Sequence, residues 1–114
     1  MTRMKILALE IIRLVETLPK TQTASVIGKQ VLRSSTSVCA NYRAACRARS
    51  RADFISKVAI AEEESDETQY WLELLHGSGM ISKEEFNRLH SEANELTAIL
   101  TASGKTAKEN KKGQ

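Results

Sequence analysis

SRADFISKVAIAEEESDETQYWLELLHGSG, residues 50–79, decides the fold. Phe54, Val58, Ala61, Ser65, Thr68, Leu72 and Leu75 recur at alternating steps of four and three, the spacing of one face of an α-helix. Ser50 stands where an N-cap accepts the first free amides, with Asp53 three residues on as a short capping-box partner. Gly77 and Gly79 stand where the helix must stop. Trp71 and Leu74 add a second apolar edge, so this helix is apolar around much of its circumference.

The flanking sequence supplies three more helices. Upstream, Ala24, Ile27, Val31, Ser34, Val38 and Ala45 lie near one face, with Asn41 and Tyr42 beside them. Thr21 or Thr23 caps this segment, which runs to about Arg47. Its seam is small and polar at Ser34, Ser35, Thr36 and Ser37, so a neighbouring helix can come close and the hydroxyls can bond back to helix carbonyls. Gly28 suits the same close contact. Before it, residues 4–18 put Leu7, Ile11, Leu14 and Leu18 on one face, broadened by Ile6, Ile12 and Val15. Pro19 ends that helix, because the residue before a proline is pushed out of the α region. Downstream, Ser82-Lys83-Glu84-Glu85 is a capping box, and Phe86, Leu89, Ala93, Leu96 and Leu100 form the face of a fourth helix. Gly104 is predicted to end it. The spacing therefore predicts one domain over residues 1–103 and a disordered polar tail over 104–114. Short connections favour antiparallel neighbours, and the expected fold is all-α, an antiparallel up-down-up-down four-helix bundle.

Composition agrees. The chain has 114 residues, which suits one domain, and a single proline with five glycines argues against a turn-rich β fold. No Gly-rich phosphate loop is present. Aromatic residues make up 4%, too few for most stacking platforms for single-stranded nucleic acid. The N-terminal helix carries charges throughout, and no stretch approaches the ~20 apolar residues of a membrane span. The expectation is a soluble cytoplasmic protein with no membrane partner. Cys39 and Cys46 are seven apart, hence ~10 Å along one helix. That is too far for a disulfide, and free buried thiols are expected.

Charge is distributed unevenly. Residues 1–57 carry eleven Lys/Arg and three Asp/Glu, a net of +8, while residues 58–114 carry six and eleven, a net of −5. Lys29, Arg33, Thr36, Ala40, Arg43 and Arg47 fall on one stripe of the second helix, and Arg49 and Arg51 extend it through the next turn. Arginine can fork onto phosphate oxygens, and each phosphate neutralised releases counterions. Lys29, Arg33, Arg43, Arg47, Arg49 and Arg51 are therefore candidate contacts to RNA or DNA. The other reading is a solvated face, or a stripe that pairs with acidic residues of the third helix. Arg33 would then meet Glu67 or Asp66 across the antiparallel pair, or the stripe would meet a neighbouring subunit or another protein. Ile55, Tyr70, Trp71 and Leu74 lie off the core seam of the third helix, which points to a homo-oligomer interface.

Catalytic patterns are sparse. The chain has one Glu-x-x-His spacing, Glu73 to His76, where a di-metal bundle needs two, so neither a metal nor another cofactor is expected. No Gly-x-Ser-x-Gly elbow is present, and the expectation is a protein that is not an enzyme.

Residues 30–75 resemble a known family. Gln30, Leu32, Arg33, Ser34 to Ser37-Val38 and Asn41 match it, followed by Arg47, Ser50, Asp53-Phe54, Ala61, Glu67 and the Leu72–Leu75 patch. The pattern is similar to that of bacterial four-helix-bundle proteins encoded by intervening sequences within 23S rRNA genes. With the flanking helices the similarity covers about residues 5–102. It implies an up-down bundle assembled as a homopentameric ring, with no established enzymatic activity. It also implies kinship with accessory proteins of diversity-generating retroelements, thought to bind a reverse transcriptase and nucleic acid. The family often has Glu-Gly shortly after the asparagine. Here Asn41-Tyr42-Arg43 is followed by Ala44-Ala45, which makes this stretch more basic.

Overall fold

Four α-helices make up residues 2–112, the span that the computed structural model describes. They are α1 (Arg3–Glu16), α2 (Gln22–Cys46), α3 (Arg51–Gly77) and α4 (Lys83–Lys112). Each helix start is satisfied by a hydroxyl. Thr2, Thr21, Ser50 and Ser82 accept from the amides of Lys5, Ala24, Asp53 and Glu85 at 3.3, 3.1, 3.0 and 3.1 Å. The end of α3 is a Schellman turn. Gly79 takes φ 78°, its amide donates to the His76 carbonyl at 3.0 Å, and the Met80 amide donates to the Leu75 carbonyl at 2.9 Å. Helix α1 stops at Glu16, two residues before the predicted Leu18.

The helices run antiparallel. Across α2 and α3, Ser34 accepts from Thr68 at 2.9 Å and Arg33 reaches Glu64 and Glu67. Across α3 and α4, partner numbers fall in one helix as they rise in the other. Glu62 meets Thr101, Ser65 meets Thr97 and Glu73 meets His90. Helix α1 returns along α4 through Arg3 with Glu92 and Glu95, and through Glu10 with Arg88. The order around the bundle is α1, α2, α3, α4, and among the described residues no Cα atoms of a diagonal pair come within 8 Å.

The core is the set of faces read from the heptads. Leu7, Ile11, Val31, Val38, Val58, Leu72, Leu75, Leu89, Leu96 and Leu100 are buried. Fully burying one such side chain contributes about 1.5–3 kcal/mol. Midway along α3 the core turns polar, with Ser34, Ser65 and Thr68 completely buried. Every hydroxyl there has a partner, and Thr97 ties Ser65, Gln69 and the Ala93 carbonyl together at 2.8–2.9 Å. Ile6 and Ile12, expected to broaden the stripe of α1, are instead exposed, because they lie on either flank of the buried Leu7, Ile11 and Leu14 face.

Gly104 does not end α4. The helix continues to Lys112, so the tail expected to be disordered from 104 is helical as far as it is described, and residues 113 and 114 lie outside the described residues. A glycine stops a helix when it takes a left-handed φ, and among the described residues only Gly79 does so. A Cβ at Gly104 would stand 3.6 Å from Val58 Cγ1, so this glycine lies against α3 as part of the seam.

Length differs between helices. With 14 residues α1 spans about 21 Å, whereas α4 has 30 residues and the molecule is 53 Å long. Arg3, at the start of α1, is tied to Glu92 and Glu95, so α4 runs on past the beginning of α1. One half of the bundle is four helices thick and the other half is three.

Candidate nucleic-acid interface

The core face of α2 carries Ala24, Val31, Val38 and Ala45, which turns Lys29, Arg33, Arg43 and Arg47 outward. All four are exposed. They are not equivalent. Arg33 leans onto α3, where its guanidinium donates to Glu64 at 2.9 Å and to Glu67, and its Nε donates to Gln30 at 3.1 Å. That is the intramolecular pairing the antiparallel register anticipates, with Glu64 in place of Asp66. Lys29, Arg43, Arg47, Arg49 and Arg51 have no carboxylate within 4 Å among the described residues. Arg43 lies in the last turn of α2 and Arg47 is its C-cap. Unbonded carbonyls there carry partial negative charge, which favours cations without a carboxylate partner. Arg49 is exposed in the turn, and Arg51, half-buried, opens α3.

Two further cations come to the same end of the molecule. Lys105 and Lys108 share a groove of about 410 Å³ with Ile55 and Ala59 of α3, also lined by Glu62 and Glu109. Sequence reasoning missed them because it ended α4 at Gly104. The available signal was weak, a run of helix-forming Lys, Ala and Glu with no proline after residue 104. Between these lysines and the α2 arginines lies the outer surface of the first turns of α3. Ala52, Ser56 and Ala59 are exposed there, small and uncharged.

The residues expected at a subunit interface separate into two places. Tyr70 is 51% exposed and Leu74 37% exposed. Trp71 is half-buried, meets the Tyr70 ring edge-on at 5.0 Å and donates its indole N–H to Glu67 at 3.0 Å. Ile55 lies 15 positions earlier, about 22 Å along α3, half-buried in the groove against α4. Ile60, 39% exposed and two heptads before Leu74, shares the outer face and was not foreseen.

The remaining reactive side chains are held apart. Glu73 meets His90 Nε2 at 2.9 Å, while His76 stacks on Phe86 at 4.5 Å. Among the described residues no group of three or more His, Cys, Asp or Glu could hold a metal ion. Both cysteines are free, but only Cys39 is even half-buried and Cys46 is exposed, against the expectation of buried thiols. Cys46 closes α2 on the side that α1 is too short to cover. The neighbouring Cys46 side chain, together with partial burial, holds the Tyr42 hydroxyl above its ordinary pKa. No helix among the described residues is long and apolar enough to cross a membrane.

The chain is similar to proteins seen before. The family profile described as 23S rRNA-intervening sequence protein matches residues 1–102. A crystal structure from Bacteroides thetaiotaomicron, described as a protein with unknown function from the S23 ribosomal protein family, superposes with a TM-score of 0.85 at 40% identity. The match covers 90% of this chain and 95% of that one. No curated protein matches the chain.

Proposed function

Since the chain belongs to the 23S rRNA-intervening sequence protein family, we propose that it is a non-catalytic bundle that binds the RNA or DNA backbone through the basic end of α2 and the turn after it. One observation carries the reading. Of six cations on the stripe and turn, only Arg33 is tied to carboxylates, and the other five have none in reach among the described residues. Cations left without partners and clustered at one end are the electrostatic footprint of a phosphate site. Arg43, Arg47, Arg49 and Arg51 make the contacts, with Lys29 further up the stripe, and Arg33 holds α2 against α3. Binding follows backbone charge with little sequence preference, since phosphate contacts position a nucleic acid and base contacts specify it.

The test is fluorescence anisotropy with labelled RNA and DNA across a salt series. Affinity should fall with salt at a log–log slope of about −3 or steeper, as four neutralised phosphates require. Arg43→Glu with Arg47→Glu should weaken binding at least tenfold and flatten the slope by about 2, with an unchanged helical circular dichroism signal. Unaltered affinity in that double variant, or affinity indifferent to salt, would reject the reading.

Self-association belongs to the same proposal. Copies of the chain assemble, as a pentamer if the family resemblance extends that far, through the outer face of α3, where Tyr70 and Leu74 are exposed beside Trp71. A structural module whose stripe pairs with neighbouring subunits is the competing reading, favoured by Arg33 already being so used within the chain. Light scattering of the wild type and of Leu74→Glu, with anisotropy on both, separates them. Assembly without any nucleic-acid binding would favour the structural module.

A further inference from the structure

We infer that the ligand of the basic end is a duplex, seated on the outer face of the first turns of α3 with the α2 arginines on one strand and the α4 lysines on the other. The inference rests on the phosphate-binding reading above and adds Lys105 and Lys108 to it. Its origin is the course of α4. Because α4 continues through Gly104, Lys105 and Lys108 are carried on a helix beside Ile55 and Ala59. Residues 105–112 hold four lysines against one glutamate. On the other flank, Arg47 lies two heptads after Arg33 on the outward stripe of α2, and Arg43 is one turn earlier.

Between the two basic rims α3 presents Ala52, Ser56 and Ala59, all exposed, small and uncharged, with Asp53 in the first turn and exposed Ile60 and Glu63 just beyond them. Helices α2 and α4 each pack on α3, and among the described residues their Cα atoms stay more than 8 Å apart. Neighbouring axes are about 8–10 Å apart, so the α2 and α4 axes, diagonal to one another, are roughly 11–14 Å apart, and the side chains of the two rims reach outward from there. A single strand offers one line of phosphates, which can follow one rim. A duplex offers two lines flanking a groove, about 12 Å wide for the B-form major groove, and both rims can then be used together. The twofold higher charge per unit length of a duplex favours the same choice. None of the five aromatic residues at positions 42, 54, 70, 71 and 86 lies on this face of α3 to stack an unpaired base. Glu62 and Glu109 line the same groove and equal Lys105 and Lys108 in number, and Glu62 is engaged by Thr101 at 3.0 Å.

The experiment compares a 16-base-pair RNA duplex, the DNA duplex of the same sequence and the corresponding 16-nucleotide single strands, using the full chain. At least one duplex should bind ten or more times tighter than its strands. Lys105→Glu with Lys108→Glu should cost at least tenfold on the duplex and less than threefold on a single strand. Ala59→Glu, at an exposed position between the rims, should weaken duplex binding by a similar factor with helicity intact. Equal affinity for duplex and strand, or a duplex affinity indifferent to the α4 reversal, overturns the inference and leaves the phosphate reading standing. Binding of neither species overturns both. If only one of the RNA and DNA duplexes binds, the inference holds and that nucleic acid is the ligand.

Discussion

Gly77 and Gly79 stand two residues apart and serve different purposes. Gly79 sits at φ 78°, where a Cβ approaches the following carbonyl, whereas Gly77 keeps a helical backbone with open space around its Cα. Gly79→Ala should therefore cost about 1–2 kcal/mol, and Gly77→Ala should be neutral or stabilising by up to about 1 kcal/mol. Urea denaturation of the two variants checks the sign of each. Sequence alone marks both glycines as a stop without telling which one makes the turn, because the hydrogen bonds of the Schellman motif decide that. The same limit governs the basic stripe. Arg33 and Arg47 look alike in sequence, two heptads apart. What separates them is register: Glu64 and Glu67 fall opposite the first, and the helix ends at the second.

At the scale of the element, α4 is the instructive case. Its first half was legible because Leu89, Ala93, Leu96 and Leu100 repeat as a buried face. Beyond Leu100 there is no large apolar side chain, so periodicity has nothing to report and a glycine reads as an end. The structure uses Gly104 as helix interior, with room for a methyl group against Val58. Gly104→Ala should stabilise the protein by about 0.5–1 kcal/mol, since glycine loses more backbone freedom than alanine on entering a helix. Raised melting temperature and raised helicity would both follow. A helix that truly ended at residue 103 would show neither.

Across the whole molecule, the four helices and their antiparallel order were readable from heptads, caps and short turns. The ligand and the assembly were not, because an exposed charge or an exposed leucine has the same spacing whether or not something covers it. What closes the bundle is a small set of ion pairs between its first and last helices. Arg3 Nη2 stands 2.6 Å from Glu92 and 2.7 Å from Glu95, and the hydrogen bond to Arg3 holds the Glu92 carboxyl below its ordinary pKa, against partial burial. A carboxylate with a depressed folded pKa adds stability that is complete above the unfolded value of about 4.3 and is lost as pH falls through the folded value. Thermal melts of wild type should decline more steeply between about pH 5 and 2 than those of Glu92→Gln, which has no proton to take up there. The seam closed in this way extends only as far as α1 does. A rod with one thick end and one thin end does not exchange its amide hydrogens evenly. Where three helices stand without a fourth, fewer contacts must part before solvent reaches the backbone, and sub-global opening takes less free energy. That softer end is also the one bearing the arginines, so a ligand bridging α2, α3 and α4 there would act as the missing strut, slowing exchange at the site it occupies.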